Sequence, residues 1–324
     1  MYCFLALPLR RMAVDPNWLE GFLEARILFD KVMSEPMLAS RDSSAPDCSD
    51  DIDGDSTVAP PTLMPEIGID AHTGQRLGLA WCRGLAARLE DNGLECAVHL
   101  PFLDLHPASL DNNILLGTRQ SLERAIEFAS LLSPSHLIAH SGFDPGQHKE
   151  DEYEEYLGRS KETWLELLRQ WHNHPPLHIE NTYELDPEPL RDLVTILHSK
   201  KVGICFDAGH WNSFSRGSGR RDMDRWLKVL APYIRHLHLH DNDGTGDLHL
   251  GVGTGNIPWH QLTGCLRRLG IMPGCTLEPR GEAALRASLS YLRSRQDIFG
   301  SLMYSRCVPA GRRQGDDLRS SMEP

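Results

Sequence analysis

The sequence lacks excess basic charge, paired cysteines and long apolar runs. Thirty-three Lys and Arg residues stand against 45 Asp and Glu residues, and the net charge of −12 argues against a polyanionic partner. The eight cysteines include no CxxC pair, which favours reduced core cysteines in a cytoplasmic protein over a disulfide framework. The apolar run at 3–7 is too short to span a membrane and has no basic segment before it, so neither a signal peptide nor a membrane anchor is expected.

Two segments also lack hydrophobic periodicity. Residues 34–64 are rich in Ser, Asp and Pro, which predicts an acidic, disordered insertion. Residues 299–324 are polar and aperiodic, which predicts a flexible tail. The remaining residues, 1–33 and 65–298, are expected to form a single domain.

What the rest of the chain does have is a regular alternation of short apolar runs and amphipathic segments. Strands are predicted at 3–7, 65–70, 95–101, 136–140, 177–181, 202–207, 234–241 and 275–279. Helices are predicted at 17–33, 74–93, 113–132, 151–172, 188–199, 221–230, 259–269 and 282–295. Eight strand–helix units imply an α/β fold with a closed parallel sheet, the (β/α)₈ barrel.

Metal-ligating side chains stand at the ends of these strands. The carboxyl ends of barrel strands meet at one mouth, so residues there converge. Six lie at strand ends and three in the loops that follow: His99, His140, Glu180, Asp207, His238 and Glu278, then His210, Asp247 and His249. Mixed imidazole and carboxylate ligands suit zinc, manganese, iron or cobalt rather than magnesium or calcium.

Other histidines in the strands have a simpler interpretation. Taken alone, His136, His178 and His236 are expected to pack in the core or to support the ligands. His236, His238 and His240 share one strand face, so alternation alone does not decide which of them is a ligand and leaves His240 open as the residue at the mouth.

The order of short motifs resembles that of the xylose isomerase-like barrels, a superfamily that includes sugar-phosphate isomerases and epimerases and the family 2 abasic-site endonucleases. The resemblance covers roughly residues 65–297 and rests on VHLPF, IAHSGF, IENTY, CFDAGHWNSF, HLHDND, DLHLGVGTG and LEP. By this resemblance His238 is the ligand on its strand. The likeness to the endonuclease IV branch implies three zinc ions, held by His99, His140 and Glu180; by Glu180, Asp207, His238 and Glu278; and by His210, Asp247 and His249.

The resemblance implies a metal-dependent enzyme and leaves three functions open. The first is hydrolysis of a small phosphoester or phosphodiester at a centre of two or three ions, with Glu180, Glu278 and His210 as catalytic residues. The second is isomerisation or epimerisation of a sugar or sugar phosphate, with Glu180 and Glu278 as acid and base. The third is a non-catalytic barrel that binds metal or another ligand.

The expected partner is a small phosphorylated or sugar substrate. The loops after strands two and three show no basic-aromatic wedge for opening a duplex, so a nucleic-acid partner is not expected. Arginines that suit a phosphorylated substrate are Arg10, Arg11, Arg216, Arg220, Arg221 and Arg280.

Overall fold

The computed structural model describes residues 2–34, 62–148 and 150–303 and has eight parallel strands in one closed barrel. Neighbours in sequence are neighbours in the sheet, and the last strand pairs with the first from Cys3↔Cys275 to Leu5↔Leu277. This confirms the predicted (β/α)₈ architecture. The strands are β1 (Tyr2–Pro8), β2 (Thr62–Gly68), β3 (Ala97–His99), β4 (Leu137–His140), β5 (Leu177–Glu180), β6 (Val202–Asp207), β7 (Ile234–Leu239) and β8 (Gly274–Leu277).

Helices follow every strand and bury their apolar faces. In the helix after β3, Leu115, Leu122 and Ile126 are buried at helical spacing. The helices are α1 (Leu9–Val14), α2 (Trp18–Ser34), α3 (Ala71–Arg76), α4 (Leu79–Asp91), α5 (Asn112–Leu132), α6 (Tyr153–Gln170), α7 (Glu188–Leu197), α8 (Ala208–Ser213), α9 (Gly217–Arg220), α10 (Met223–Leu230), α11 (Trp259–Arg268), α12 (Glu282–Ser294) and α13 (Gln296–Met303), with a 3₁₀ turn at Glu150–Glu152.

The single helix predicted at 74–93 is wrong, because two helices occupy this stretch. The carboxylate of Asp70 accepts a hydrogen bond from the Thr73 backbone N–H at 2.8 Å and so starts α3 early. Leu77 and Gly78 then adopt extended backbone, with ψ of 119° and 164°, which separates α3 from α4.

The boundaries of the predicted insertion and tail also shift. Strand β2 begins at Thr62, and α13 continues past the predicted start of the tail at 299. Ile298 and Phe299 of this helix are buried, and the Phe299 ring lies 6.0 Å from that of Trp259. Residues 35–61 and 304–324, which hold most of both predicted segments, lie outside the described residues.

Two further expectations concern reduced cysteines in the core and the lack of a membrane anchor. Six cysteines in the described part of the chain are free and buried: Cys3, Cys82, Cys96, Cys205, Cys265 and Cys275. Within the same part, no helix combines the length and the apolar character needed to cross a bilayer.

Candidate metal centre

Glu180 lies at the centre of the predicted ligands. It ends β5, its side chain is 1% exposed, and four imidazoles approach its two oxygens. Nε2 of His99 and of His140 lies 3.0 and 3.6 Å from Oε2, while Nδ1 of His210 and of His238 lies 3.1 and 3.2 Å from Oε1. The barrel therefore brings side chains from β3, β4, β7 and α8 to the carboxylate at the end of β5.

Two further carboxylates face the same imidazole of β7. Nδ1 of His238 lies 3.7 Å from Asp207 Oδ2 and 3.5 Å from Glu278 Oε1. The other oxygen of Asp207 caps α8, because Oδ1 accepts from the His210 backbone N–H at 2.6 Å. Asn181 fixes the backbone of Asp207 by donating to its carbonyl at 3.0 Å and accepting from its N–H at 2.8 Å. Asp207 is thus held with Oδ2 directed at the centre.

The loop after β7 adds a more exposed pair at the mouth. Nε2 of His249 lies 2.9 Å from Asp247 Oδ2, and Nε2 of His210 lies 3.9 Å from the same oxygen. The side chains of Asp247 and His249 are 25% and 22% exposed. His249 has a φ of 49°, a left-handed conformation uncommon outside glycine. All nine predicted ligands therefore lie in one continuous cluster.

The three histidines that share a face of β7 occupy different depths. His236 lies deepest, with Nε2 2.7 Å from Thr276 Oγ1. His238 faces the strand carboxylates. His240 lies nearest the mouth, where Nε2 is 3.2 Å from Asp207 Oδ2 and 3.6 Å from Asp247 Oδ1.

His240 is therefore a tenth side chain of the cluster, absent from the predicted ligands. Its ring stacks on that of His249 with centroids 4.1 Å apart. Gly209 makes room for it, because a Cβ at that position would collide with the His240 ring. The signal in the sequence is that His240 lies two residues after His238 and therefore on the same face of the strand. This spacing alone did not decide whether His240 is the residue at the mouth.

Backbone carbonyls orient three of the imidazoles in the same way. Nδ1–H donates to a carbonyl from His99 (Leu100, 2.8 Å), from His210 (Asn181, 2.9 Å) and from His249 (Glu278, 2.7 Å). In the neutral tautomer that metal binding requires, with the single N–H on Nδ1, each Nε2 lone pair would face the centre. Such an arrangement is typical of metal-binding histidines.

The charges of the cluster suit cations. Burial alone would raise the pKa of Glu180, but the His238 and His140 imidazoles and hydrogen bonds from His210 hold it well below its usual range. Burial lowers the pKa of His140 to about 3, which keeps it neutral. At His249 burial opposes the shift, yet the hydrogen bond with Asp247 and the charge of Glu278 raise the pKa to about 9. Metal ligation requires ionised carboxylates and neutral imidazoles, so an ion and a proton would compete for His249.

The donor atoms are close enough to share ions. Within the described residues, both ring nitrogens of His238, His240 Nδ1, Glu66 Oε1 and Asp247 Oδ1 are buried and make no hydrogen bond of ordinary geometry. Buried polar atoms are ordinarily satisfied, so these fit a cation. The groups whose ligand atoms lie within 4.8 Å of one another are His99, Glu180 and His238; Asp207, His238 and Glu278; Asp207, His210 and His240; His240, Asp247 and His249; and Glu66, His236 and His238.

Glu66, in the last of these groups, was not predicted as a site residue from the sequence. It lies on β2, is 1% exposed, and its Oε1 is 3.2 Å from His238 Nε2. The available signal was an acidic residue inside an otherwise apolar strand, between Pro65 and Ile67.

The arginines expected to meet a substrate differ in their surroundings. Arg220 is engaged with Asp186 at 2.6 Å and with Asp222 at 3.1 Å, so it joins two loops. Arg280 is exposed just beyond Glu278, and its backbone N–H donates to the His249 carbonyl at 2.8 Å.

The loop after β3 carries two exposed apolar side chains beside the cluster. Phe102 and Leu103 are 48% and 70% exposed, and the Phe102 ring stacks on that of His140 at 4.0 Å. The expectation that nucleic acid is not a partner stays a prediction.

Residues 65–295 match the family described as the xylose isomerase-like TIM barrel, and the chain belongs to this family. A solved structure that matches it is the TTHB071 protein from Thermus thermophilus, soaked with ZnCl₂, at 26% identity over 91% of this chain and 97% of that chain, with a TM-score of 0.65. Another is a D-tagatose 3-epimerase-like protein, at 26% identity over 72% of this chain and 89% of that chain, with a TM-score of 0.61.

Curated relatives match over shorter stretches. The uncharacterized protein MJ1311 of Methanocaldococcus jannaschii is 30% identical over 184 residues, 55% of this chain and 61% of that protein. A probable endonuclease 4 of Mycobacterium ulcerans is 26% identical over 193 residues, 56% of this chain and 72% of that protein. Two of these four relatives are named after a reaction, one as epimerase-like and one as a probable endonuclease.

Proposed function

We propose that the chain is a metal-dependent hydrolase of small phosphoesters or phosphodiesters, with two or three zinc-type ions in the centre. The observation that carries this proposal is the continuity of Asp247, His249 and His210 with the strand carboxylates. An isomerase that works around one ion needs only the ligands on the strands. Donors beyond that set favour further ions.

The charge of the cluster supports the same conclusion. Four carboxylates surround the proposed ions, and backbone carbonyls orient three of the imidazoles through Nδ1. Two divalent ions would balance the carboxylates, and a third would leave the centre positive, which favours a phosphorylated substrate. The exposed Arg280 beside His249 is placed to add to that attraction.

The proposed ligand groups follow the contacts. His99, His140 and Glu180 form the first group. Glu180 is shared with the second group, formed with Asp207, His238 and Glu278. The third group is His210, Asp247 and His249, and His240 lies between it and Asp207.

The proposed catalytic residues are Glu180, Glu278 and His210. When bound, ions of this kind lower the pKa of water and neutralise charge on phosphoryl oxygens. Glu278, directly after β8, is more accessible than Glu180, at 12% exposed against 1%. It is therefore the group best placed to exchange a proton with a substrate.

Epimerisation or isomerisation of a sugar is the second candidate. Glu180 and Glu278 both approach His238 Nδ1, at 3.2 and 3.5 Å, so two carboxylates flank one proposed ligand. Such a pair suits proton transfer beside a carbonyl. The likeness to a D-tagatose 3-epimerase-like protein favours it as well.

The double variant Asp247→Ala/His249→Ala separates the two candidates. We expect it to lose about one metal ion per chain and all hydrolysis of bis(p-nitrophenyl) phosphate, because the third ligand group needs both side chains. Metal content is measured by elemental analysis of protein purified without chelator. Asp243→Ala in the same loop is the control, because that carboxylate bonds only to Thr245 among the described residues and should leave both readouts unchanged.

Unchanged metal content in the double variant would contradict the third ligand group. Metal-loaded wild type that hydrolyses no phosphoester in a broad panel would contradict the hydrolase. Exchange of a carbon-bound proton with deuterated solvent, dependent on Glu180 and Glu278, would then identify the epimerase. A fully metallated chain that is inactive in both assays would support the non-catalytic alternative.

A further inference from the structure

His238 is oriented differently from the other proposed ligands. His99, His210 and His249 each donate Nδ1–H to a backbone carbonyl, which leaves Nε2 as the nitrogen for an ion, and Nδ1 of His210 also lies 3.1 Å from Glu180 Oε1. His238 presents Nδ1 to the centre instead, at 3.2 Å from Glu180, and its Nε2 points deeper into the barrel. The atom that Nε2 meets there is Glu66 Oε1, at 3.2 Å.

Glu66 is itself fixed on its far side. Its Oε2 accepts a hydrogen bond from Thr276 Oγ1 at 2.7 Å, and the same hydroxyl lies 2.7 Å from His236 Nε2. Glu66 and Thr276 are 1% and 0% exposed, so water does not compete for these contacts. The carboxylate can therefore keep one position beneath His238.

We propose that Glu66 is a positioning residue that accepts Nε2–H of His238 and so holds Nδ1 as a metal ligand. A neutral imidazole has one N–H, and placing it on Nε2 leaves the lone pair on Nδ1, opposite Glu180, Asp207 and Glu278. Glu66 thus supplies for His238 what backbone carbonyls supply for the other three histidines. Being a carboxylate, it also makes the imidazole a more basic ligand than a carbonyl does.

The inference rests on the proposed metal centre but not on the reaction. It predicts that Glu66 affects how tightly one ion is held, whatever substrate is turned over. The competing explanation is that Glu66, His236 and His238 bind an ion themselves, since their ligand atoms lie within 4.8 Å. Against it, Thr276 already satisfies Glu66 Oε2 and contacts His236 Nε2.

The test compares the full-length holoprotein with Glu66→Gln and Glu66→Ala. Chelator competition with zinc should show the affinity of one ion reduced about 10- to 100-fold in Glu66→Gln, with the number of ions at saturation unchanged. Glu66→Ala should weaken it further, because no acceptor remains for Nε2–H. Cobalt-loaded protein adds a spectroscopic readout, since a less basic imidazole should shift the visible absorption of the ion.

Glu184→Gln is the matched control. Glu184 is also a fully buried carboxylate, but its partners are the Ser141 hydroxyl and the Thr182 backbone N–H at 2.6 Å. Its substitution should leave zinc affinity and the cobalt spectrum unchanged. Thr276→Val should weaken zinc binding in the same direction as Glu66→Gln, but less, because it frees the carboxylate without removing it.

Two results would overturn the inference. One is Glu66→Gln protein with the zinc affinity and cobalt spectrum of wild type. The other is a loss of one whole ion at saturating zinc, which would make Glu66 a ligand rather than a positioning residue. Wild type that binds zinc but hydrolyses no phosphoester would refute only the proposed reaction and leave this measurement valid.

Discussion

The ligands on the strands and those in the loop after β7 differ in how they are held. Glu180, Asp207 and His238 are at most 1% exposed and take their positions from paired strands. Asp247 and His249 are about a quarter exposed and depend on a loop. Glu180, Asp207 and His238, the strand set, are part of the barrel core, so a substitution there that breaks the local hydrogen bonds affects fold and chemistry together. Asp247 and His249, the loop set, can be substituted while the barrel stays intact.

The loop after β7 is nevertheless ordered by a buried carboxylate. Asp241 forms a two-way backbone bridge with Leu250, at 2.9 and 2.8 Å. Its Oδ2 accepts from the Gly253 N–H at 2.9 Å and from Trp259 Nε1–H at 2.8 Å, and its Oδ1 accepts from the Ile257 N–H at 3.2 Å. The loop set therefore has its own support, separate from the strand pairing that holds the inner ligands.

The largest effect is expected from Glu180→Gln, which breaks the strand set. Four imidazoles lie within 3.6 Å of this carboxylate, and the first and second proposed groups share it. We expect the variant to lose more metal than Asp247→Ala/His249→Ala and to lose at least about 10²–10³-fold in kcat. Elemental analysis and phosphodiester hydrolysis measure both, with Glu184→Gln as the control for a buried carboxylate. Full metal content in Glu180→Gln would contradict the shared position.

An intermediate effect is expected from Asp241→Asn, which should disturb the loop set alone. In either orientation, the side-chain amide of the variant places its NH₂ group against N–H groups of the backbone or the indole. In the wild type a carboxylate oxygen accepts hydrogen bonds from these N–H groups. Leaving such buried donors unsatisfied costs about 1–3 kcal/mol. We expect the outermost ion to bind about tenfold more weakly while the inner ions stay, as seen in chelator titrations. Equal weakening of all ions would show that the two sets are not separately supported.

The smallest effect on activity is expected from His136→Phe, below the strand set. His136 is neutral at pH 7, because burial lowers its pKa to about 4 while the charge of Glu66 only partly opposes this. It packs against Phe4 and His236, with ring centroids 5.0 and 4.5 Å away, and against His178 at 5.3 Å.

The unfolded chain therefore takes up a proton at this site between pH 6.5 and 4 that the folded chain does not. As the pH falls across this range, the free energy of unfolding of the wild type should decrease by up to about 3 kcal/mol through His136. Denaturant unfolding of metal-free His136→Phe should show a flatter dependence on pH, with the exposed His172→Phe as the control. An unchanged dependence would contradict the contribution of His136.

Much of the centre could be predicted from sequence, because its ligands stand where strands end. Asp207 and Glu180 each close an apolar run, and strand ends of a closed barrel have only one place to meet. The contribution of His240 could not be fixed, since it shares a face with His238 and only the loop geometry decides which one reaches Asp247.

What the sequence could not show depends on contacts between distant elements. Glu66 and His238 are 172 residues apart along the chain and meet only because β2 and β7 face each other across the barrel interior. Arg220 was expected to meet a substrate because it follows β6, but Asp186 on another loop engages it. The start of α13 was missed because its apolar pair, Ile298 and Phe299, is too short for a periodic signal.

The two carboxylate oxygens of Asp207 have different partners, and this has a consequence for how the fold can diverge. One oxygen caps α8 and the other faces the imidazoles. Asn and Ser cap helices as well as Asp does, but neither carries the negative charge. A descendant with Asn or Ser at this position would keep the helix start and lose the charge. Loss of function and loss of fold are thus separable here by one substitution, and this position distinguishes barrels that retain the centre from barrels that keep only the architecture.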